Sequence, residues 1–152
     1  VNIGSISGRL ALPFTGPYAA SKHALEALTD ALRVELMPWG IHVSILQPGS
    51  IATPIWETSI AAAEAVSDRY PPQAHDYYGK TMERVRAMVA DNGRTGLDPD
   101  AVARVVEHAL TTRTPRTRYL VGRDARLRAW LQRLPDRMRD RVIAKRLGET
   151  RR

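Results

Sequence analysis

VNIGSISGRLALPFTGPYAASK, residues 1–22, carries the strand-to-helix passage on which the fold turns. Val1–Gly4 is a short apolar run ending at small residues, a strand meeting its C-terminal loop. Gly8 to Gly16 is an irregular connection containing Pro13 and Thr15. Pro17 suits the first turn of a helix. Leu25, Leu28, Leu32 and Leu36 carry that helix to about Met37 with one apolar stripe, which reads as the core-facing side. Pro38-Trp39-Gly40 stops it. Ile41–Gln47 (IHVSILQ) is a second strand, ended by Pro48-Gly49. Strand, helix, strand is a βαβ unit, which implies a parallel sheet covered on both faces.

Beyond Ser50 the pattern weakens. Helices over about 55–66 and about 75–91 flank Tyr70-Pro71-Pro72, an insertion placed where α/β proteins bind ligands. Asp98-Pro99 opens a helix with Val102, Val105, Val106 and Leu110 on one side. Arg118–Gly122 is a third strand, and two basic helices follow to about Leu147. The fold class is therefore α/β with a parallel sheet.

At 152 residues one domain is expected. The 43% hydrophobic and 26% charged residues argue against disorder. No apolar run has membrane-spanning length and no signal peptide is visible, so a cytoplasmic protein is expected. Without cysteine there is no disulfide, thiolate nucleophile or Cys-based zinc site. The four histidines lack ligand spacing, and no metal site is expected. Charge is uneven: residues 113–152 hold 14 Lys and Arg against 4 acids, whereas residues 1–112 hold 9 against 12. A basic helical tail over 123–152, packed on the rest by its Leu127 and Trp130 side, is the expectation. Contact with an anionic membrane surface is a competing use of that charge. No recognised nucleic-acid motif accompanies it, and no nucleic-acid partner is expected.

The chemistry sits in three groups. Ser5 closes the first strand, and Tyr18 and Lys22 lie one helical turn apart on one face. Free tyrosine has a pKa of about 10 and is a poor base at neutral pH. A cation about 4 Å away at an effective dielectric of about 20 favours the phenolate by roughly 4 kcal/mol. Such a phenol can accept a proton from an alcohol and return it to an alkoxide. Ser5 can hold an oxygen on which charge develops. A lone Y-x-x-x-K has a roughly 0.2–0.4 chance of arising by accident in a chain this size; here it coincides with a strand-end serine, Pro48-Gly49 and Thr53.

In this order, Asn2-Ile3-Gly4-Ser5, Tyr18-Ala19-Ala20-Ser21-Lys22 and Pro48-Gly49-Ser50-Ile51-Ala52-Thr53 resemble the short-chain dehydrogenase/reductase family, over Val1 through Gly122. The resemblance implies the C-terminal half of a Rossmann-like doubly wound sheet, with 1–122 as its catalytic part. It implies Ser5, Tyr18 and Lys22 as catalytic residues. Tyr18, Lys22, Pro48, Gly49, Ile51 and Thr53 are implied around NAD or NADP, Lys22 on the nicotinamide ribose. It further implies an alcohol or carbonyl substrate and self-association through the helix bearing Tyr18. Pro115–Gly122 and the following Leu134-Pro135-Asp136-Arg137 resemble, more loosely, the branch acting on steroids, retinoids and other lipid alcohols. The family's Gly-rich pyrophosphate turn and its upstream Asn are not in this sequence and are expected ahead of Val1, which reads as mid-strand. Alone, the 152 residues are expected to be inactive. A non-catalytic dimerisation or regulatory module is the alternative, beside the basic membrane-surface binder.

Overall fold

The computed structural model describes residues 1–67 and 69–148. Its three parallel strands lie in the order β1 (Asn2–Ile3), β2 (Ile45–Pro48) and β3 (Arg118–Val121), with Asn2 opposite Ile45 and Ile45 opposite Arg118. Helix α1 (Gly16–Glu35) joins β1 to β2. The chain returns to β3 through α2 (Ile55–Ser67), α3 (Pro72–Thr95) and α4 (Pro99–Thr111), and α5 (Arg123–Leu131) and α6 (Asp136–Arg146) follow. This is an α/β fold of partial Rossmann-like architecture. β2 begins later than Ile41, where the sequence reading starts the strand. Pairing starts at Ser44, whose carbonyl accepts Asn2 N–H at 2.8 Å, and at Ile45, which donates to Thr117 O at 3.0 Å.

Two units divide the chain: one joins Val1–Ser50 to Leu97–Leu134, the other joins Ile51–Gly96 to the chain from Pro135 on. In the first, β2 is buried along its whole length, as a central parallel strand should be. Leu46, Tyr119 and Val121 meet Ala109, Val102, Val105 and Val106 of α4 on one face. On the other, Ile6, Ala125 and Ala129 pack with Leu120. In the second unit, Trp56 of α2 donates Nε1–H to Ile51 O at 2.6 Å. Arg84 of α3 donates to Leu147 O at 2.8 Å, satisfying a carbonyl at the end of α6.

Two packing expectations are corrected. The buried residues of α1 are Ala19, Glu26 and Thr29, while Leu28 is 54% exposed. The leucine spacing shows that these residues share a face, and the polar stripe beside it is the one turned to the sheet. There Asn2 Nδ2 donates to Thr29 Oγ1 at 2.9 Å and Gln47 Nε2 to Glu26 Oε1 at 2.7 Å. Hydrogen bonding offsets burial of these groups, Gln47 Oε1 alone among the side-chain atoms of the described residues being buried without a partner. Likewise α5 packs by Ala125 and Ala129, one turn apart, leaving Leu127 and Trp130 exposed. Small side chains let the helix backbone come close where larger ones would hold it off.

Candidate functional site

β1 and β2 run parallel, so Ser5 and Pro48-Gly49 follow the same end of neighbouring strands. Their C-terminal edge is where open α/β sheets take ligands. Ser5 is buried and caps the 3-10 turn Ile6–Gly8, its Oγ accepting Ser7 N–H at 3.1 Å. That bond uses the oxygen as an acceptor and leaves the hydroxyl proton to donate. Gly8 closes the turn against α1: a Cβ there would lie 2.8 Å from the Lys22 carbonyl oxygen.

The first two turns of α1 carry the phenol and the ammonium. Tyr18 is 48% exposed. Lys22 Nζ stands over its ring, 5.7 Å from the centroid, and donates to Ile3 O at 3.4 Å, which ties it to the end of β1. The sequence expectation set the cation about 4 Å from the phenol; the ammonium lies on the ring face between phenol and strand end. One of its three N–H donors is spent on Ile3, and two remain for a ligand such as a vicinal diol. The loop that approaches Tyr18 bends at Phe14, whose φ of 65° lies in the left-handed region that a bulky residue rarely enters.

The turn after β2 is held by backbone and side chain. Gly49 N–H donates to Val121 O at 2.9 Å, and Leu97 N–H to Ser50 O at 2.9 Å. Ser50 N–H donates to Asp124 Oδ2 at 2.7 Å. Asp124 was not visible as a site residue from sequence: it stands 74 positions from Ser50 in an Arg-rich segment. Ser5, Tyr18, Lys22, Pro48 and Gly49 all belong to the first unit. Ile51 and Thr53 are half-buried residues of the second. Among the described residues no helix is long and apolar enough to cross a membrane.

A buried hydroxyl donor, a phenol and a fixed cation at a sheet's C-terminal edge can hold an oxygen and exchange a proton with it. The chain is similar to known proteins. The family described as short chain dehydrogenase matches residues 1–64. An NADPH-dependent 3-dehydrocapnine reductase of Ornithobacterium rhinotracheale is 36% identical over 95% of this chain and 49% of its own length. Retinol dehydrogenase 5 of Mus musculus is 40% identical over 94% of this chain and 46% of its own. The 17-beta-hydroxysteroid dehydrogenase type 6 of Rattus norvegicus is 36% identical over 84% and 41%. The chain spans about half the length of these relatives or less.

Proposed function

Because this chain belongs to the short-chain dehydrogenase/reductase family, we propose that it supplies the catalytic part of an NAD(P)-dependent oxidoreductase that interconverts an alcohol and a carbonyl. The observation that carries this reading is Lys22 placed between the Tyr18 ring and the end of β1, where Ser5 is buried. Ser5 donates to the substrate oxygen. The Tyr18 oxygen accepts the hydroxyl proton as the carbonyl forms and gives it back in the reverse direction, and the Lys22 ammonium stabilises the negative charge that oxygen bears while it is without the proton. When bound, the nicotinamide accepts the carbon's hydride in oxidation and donates it in reduction. The remaining donors of Lys22 fit its ribose diol, with Pro48 and Gly49 of the same unit as further contacts.

An apolar, lipid-like alcohol is the proposed substrate class. Ile55, 60% exposed on α2, supports it, as do the retinol and steroid named for two relatives. The exposed Leu28 and Val34 of α1 support a homodimer through that helix.

The test is Tyr18→Phe in the full-length protein, assayed by nicotinamide absorbance with NAD+ and NADP+ against retinoid, steroid and short secondary alcohols. Loss of one hydroxyl should lower turnover by about 10²–10⁴-fold with the melting temperature unchanged. Near-parental rates would overturn the role.

A second reading has its own observation. Leu127 and Trp130 stand exposed on α5 among Arg123, Arg126 and Arg133, the pattern of a helix resting on anionic lipid. Co-sedimentation with phosphatidylserine vesicles at low and high salt tests it, and no binding at low salt sinks it.

A further inference from the structure

We infer that Asp124, in the first turn of α5, is a positioning residue that fixes the Pro48-Gly49-Ser50 turn in the shape that receives the nicotinamide cofactor. This rests on the oxidoreductase reading above. The carboxylate reaches the turn from far along the chain and accepts Ser50 N–H at 2.7 Å. A charged acceptor makes that bond stronger than the backbone contacts beside it.

The space it uses is cut to fit. A Cβ placed on Gly49 would fall within the Asp124 carboxyl group, overlapping both oxygens and their carbon. Any residue other than glycine at position 49 therefore displaces the carboxylate or the turn. On the carboxylate's other side stands Gly122, where a Cβ would come 2.7 Å from Asp124 Oδ1. Gly122 has φ 108°, a conformation that favours glycine on its own account. Two glycines thus flank one acid, and each is needed for the acid to lie where it does.

The mounting is rigid. Asp124 precedes Ala125, which is wholly buried with Ile6 and Ala129. The turn itself is tied at Gly49 N–H to Val121 and at Ser50 O to Leu97. With Asp124 added, both backbone groups of Ser50 are engaged. The Ser50 N–H is consequently a structural donor, and a ligand at this turn meets a surface whose shape is set in advance. Preorganisation of this kind raises affinity by removing the entropy of ordering the turn at the moment of binding.

The experiment compares Asp124→Ala and Asp124→Asn in the full-length protein. Readouts are amide hydrogen exchange at Ser50, fluorescence titration with NADH and NADPH, and steady-state rates at saturating cofactor. Asp124→Ala should speed exchange at Ser50 and weaken cofactor binding about tenfold or more. The rate at saturation should change far less, a split that general destabilisation would not give. Asp124→Asn keeps an acceptor oxygen and should rescue most of the binding. Gly49→Ala should weaken binding alone, yet add nothing to Asp124→Ala, because the carboxylate it collides with is gone. Faster exchange at Ser50 with unchanged cofactor affinity overturns the inference, and so do additive effects of Gly49→Ala and Asp124→Ala. Failure of the parent protein to bind either nucleotide is a different result: it overturns the oxidoreductase reading and takes this inference with it.

Discussion

Arg118 of β3 grips Asp30 of α1, one guanidinium nitrogen lying 2.6 and 2.7 Å from the two carboxylate oxygens. Its Nε reaches Glu26, one turn earlier on the same helix, at 3.2 Å. Arg33 adds a second cation to Asp30 at 2.6 Å, and Gln47 of β2 donates to Glu26 at 2.7 Å. Three elements are therefore fastened by one polar network. The helix so held is the one that presents Tyr18 and Lys22, so the network's strength bears on the geometry of the proposed chemistry.

Asp30 makes stability depend on acid. Hydrogen bonds from Arg33 and then Arg118 hold its carboxyl below the ordinary value of 3.8. A group protonated more readily in the unfolded chain contributes stability that is complete well above 3.8 and is lost as pH falls through the depressed folded value. Asp30→Asn removes that contribution. Denaturant midpoints of parent and variant should differ at neutral pH and converge as pH falls below 3.8 and through the depressed folded value. The side chain is 44% exposed, so the gap should be small. A gap independent of pH would contradict the assignment.

Glu26 is the costlier residue to lose. Its side chain is 11% exposed, and its removal takes the acceptor from buried Gln47 Nε2 and one partner from half-buried Arg118. Glu26→Ala should destabilise by about 3 kcal/mol in urea unfolding. Glu26→Gln retains one acceptor oxygen and should cost less. A loss under about 1 kcal/mol for the alanine variant would show that water replaces the missing partners.

The sequence made the strand–helix–strand order readable because its signals are local. Tyr18 and Lys22 are one turn apart, and Pro48-Gly49 is a local stop signal directly after the apolar run. The helix start at Gly16 and the Asp98 cap of α4 were likewise within a few residues of their causes. Long-range pairings were not readable. Nothing in the spacing links Asp124 to Ser50, or Arg118 to Asp30, because folding alone brings them together. Periodicity also misjudged α1: it identified the leucine face, but the buried face follows from which partners β2 and β3 offer, and those are Gln47 and Arg118.

The exposed apolar side chains of α1 bear on the proposed homodimer. Leu28 is 54% exposed and Val34 63%. Leu28→Glu places a charge where a second copy would pack, and should shift light-scattering mass from dimer to monomer at equal concentration while the helix remains folded. An unchanged mass would remove this face from consideration as the contact.

Gly8 offers the sharpest test of how the site is assembled. A Cβ at this position would stand 2.8 Å from the Lys22 carbonyl oxygen and 3.1 Å from Glu26 Cγ. The first of these is backbone, so it cannot step aside unless α1 moves. That shift would pull Lys22 from Ile3 O, already 3.4 Å away, and slide the ammonium along the Tyr18 ring. Gly8→Ala should cost about 1–3 kcal/mol in unfolding and reduce turnover of the full-length protein as well. Gly16→Ala is the matched control: a Cβ there meets nothing within 4 Å, and the change should be neutral or slightly stabilising. If the two variants unfold at the same denaturant concentration and turn over alike, the contact between the 3-10 turn and α1 does not set the position of Lys22.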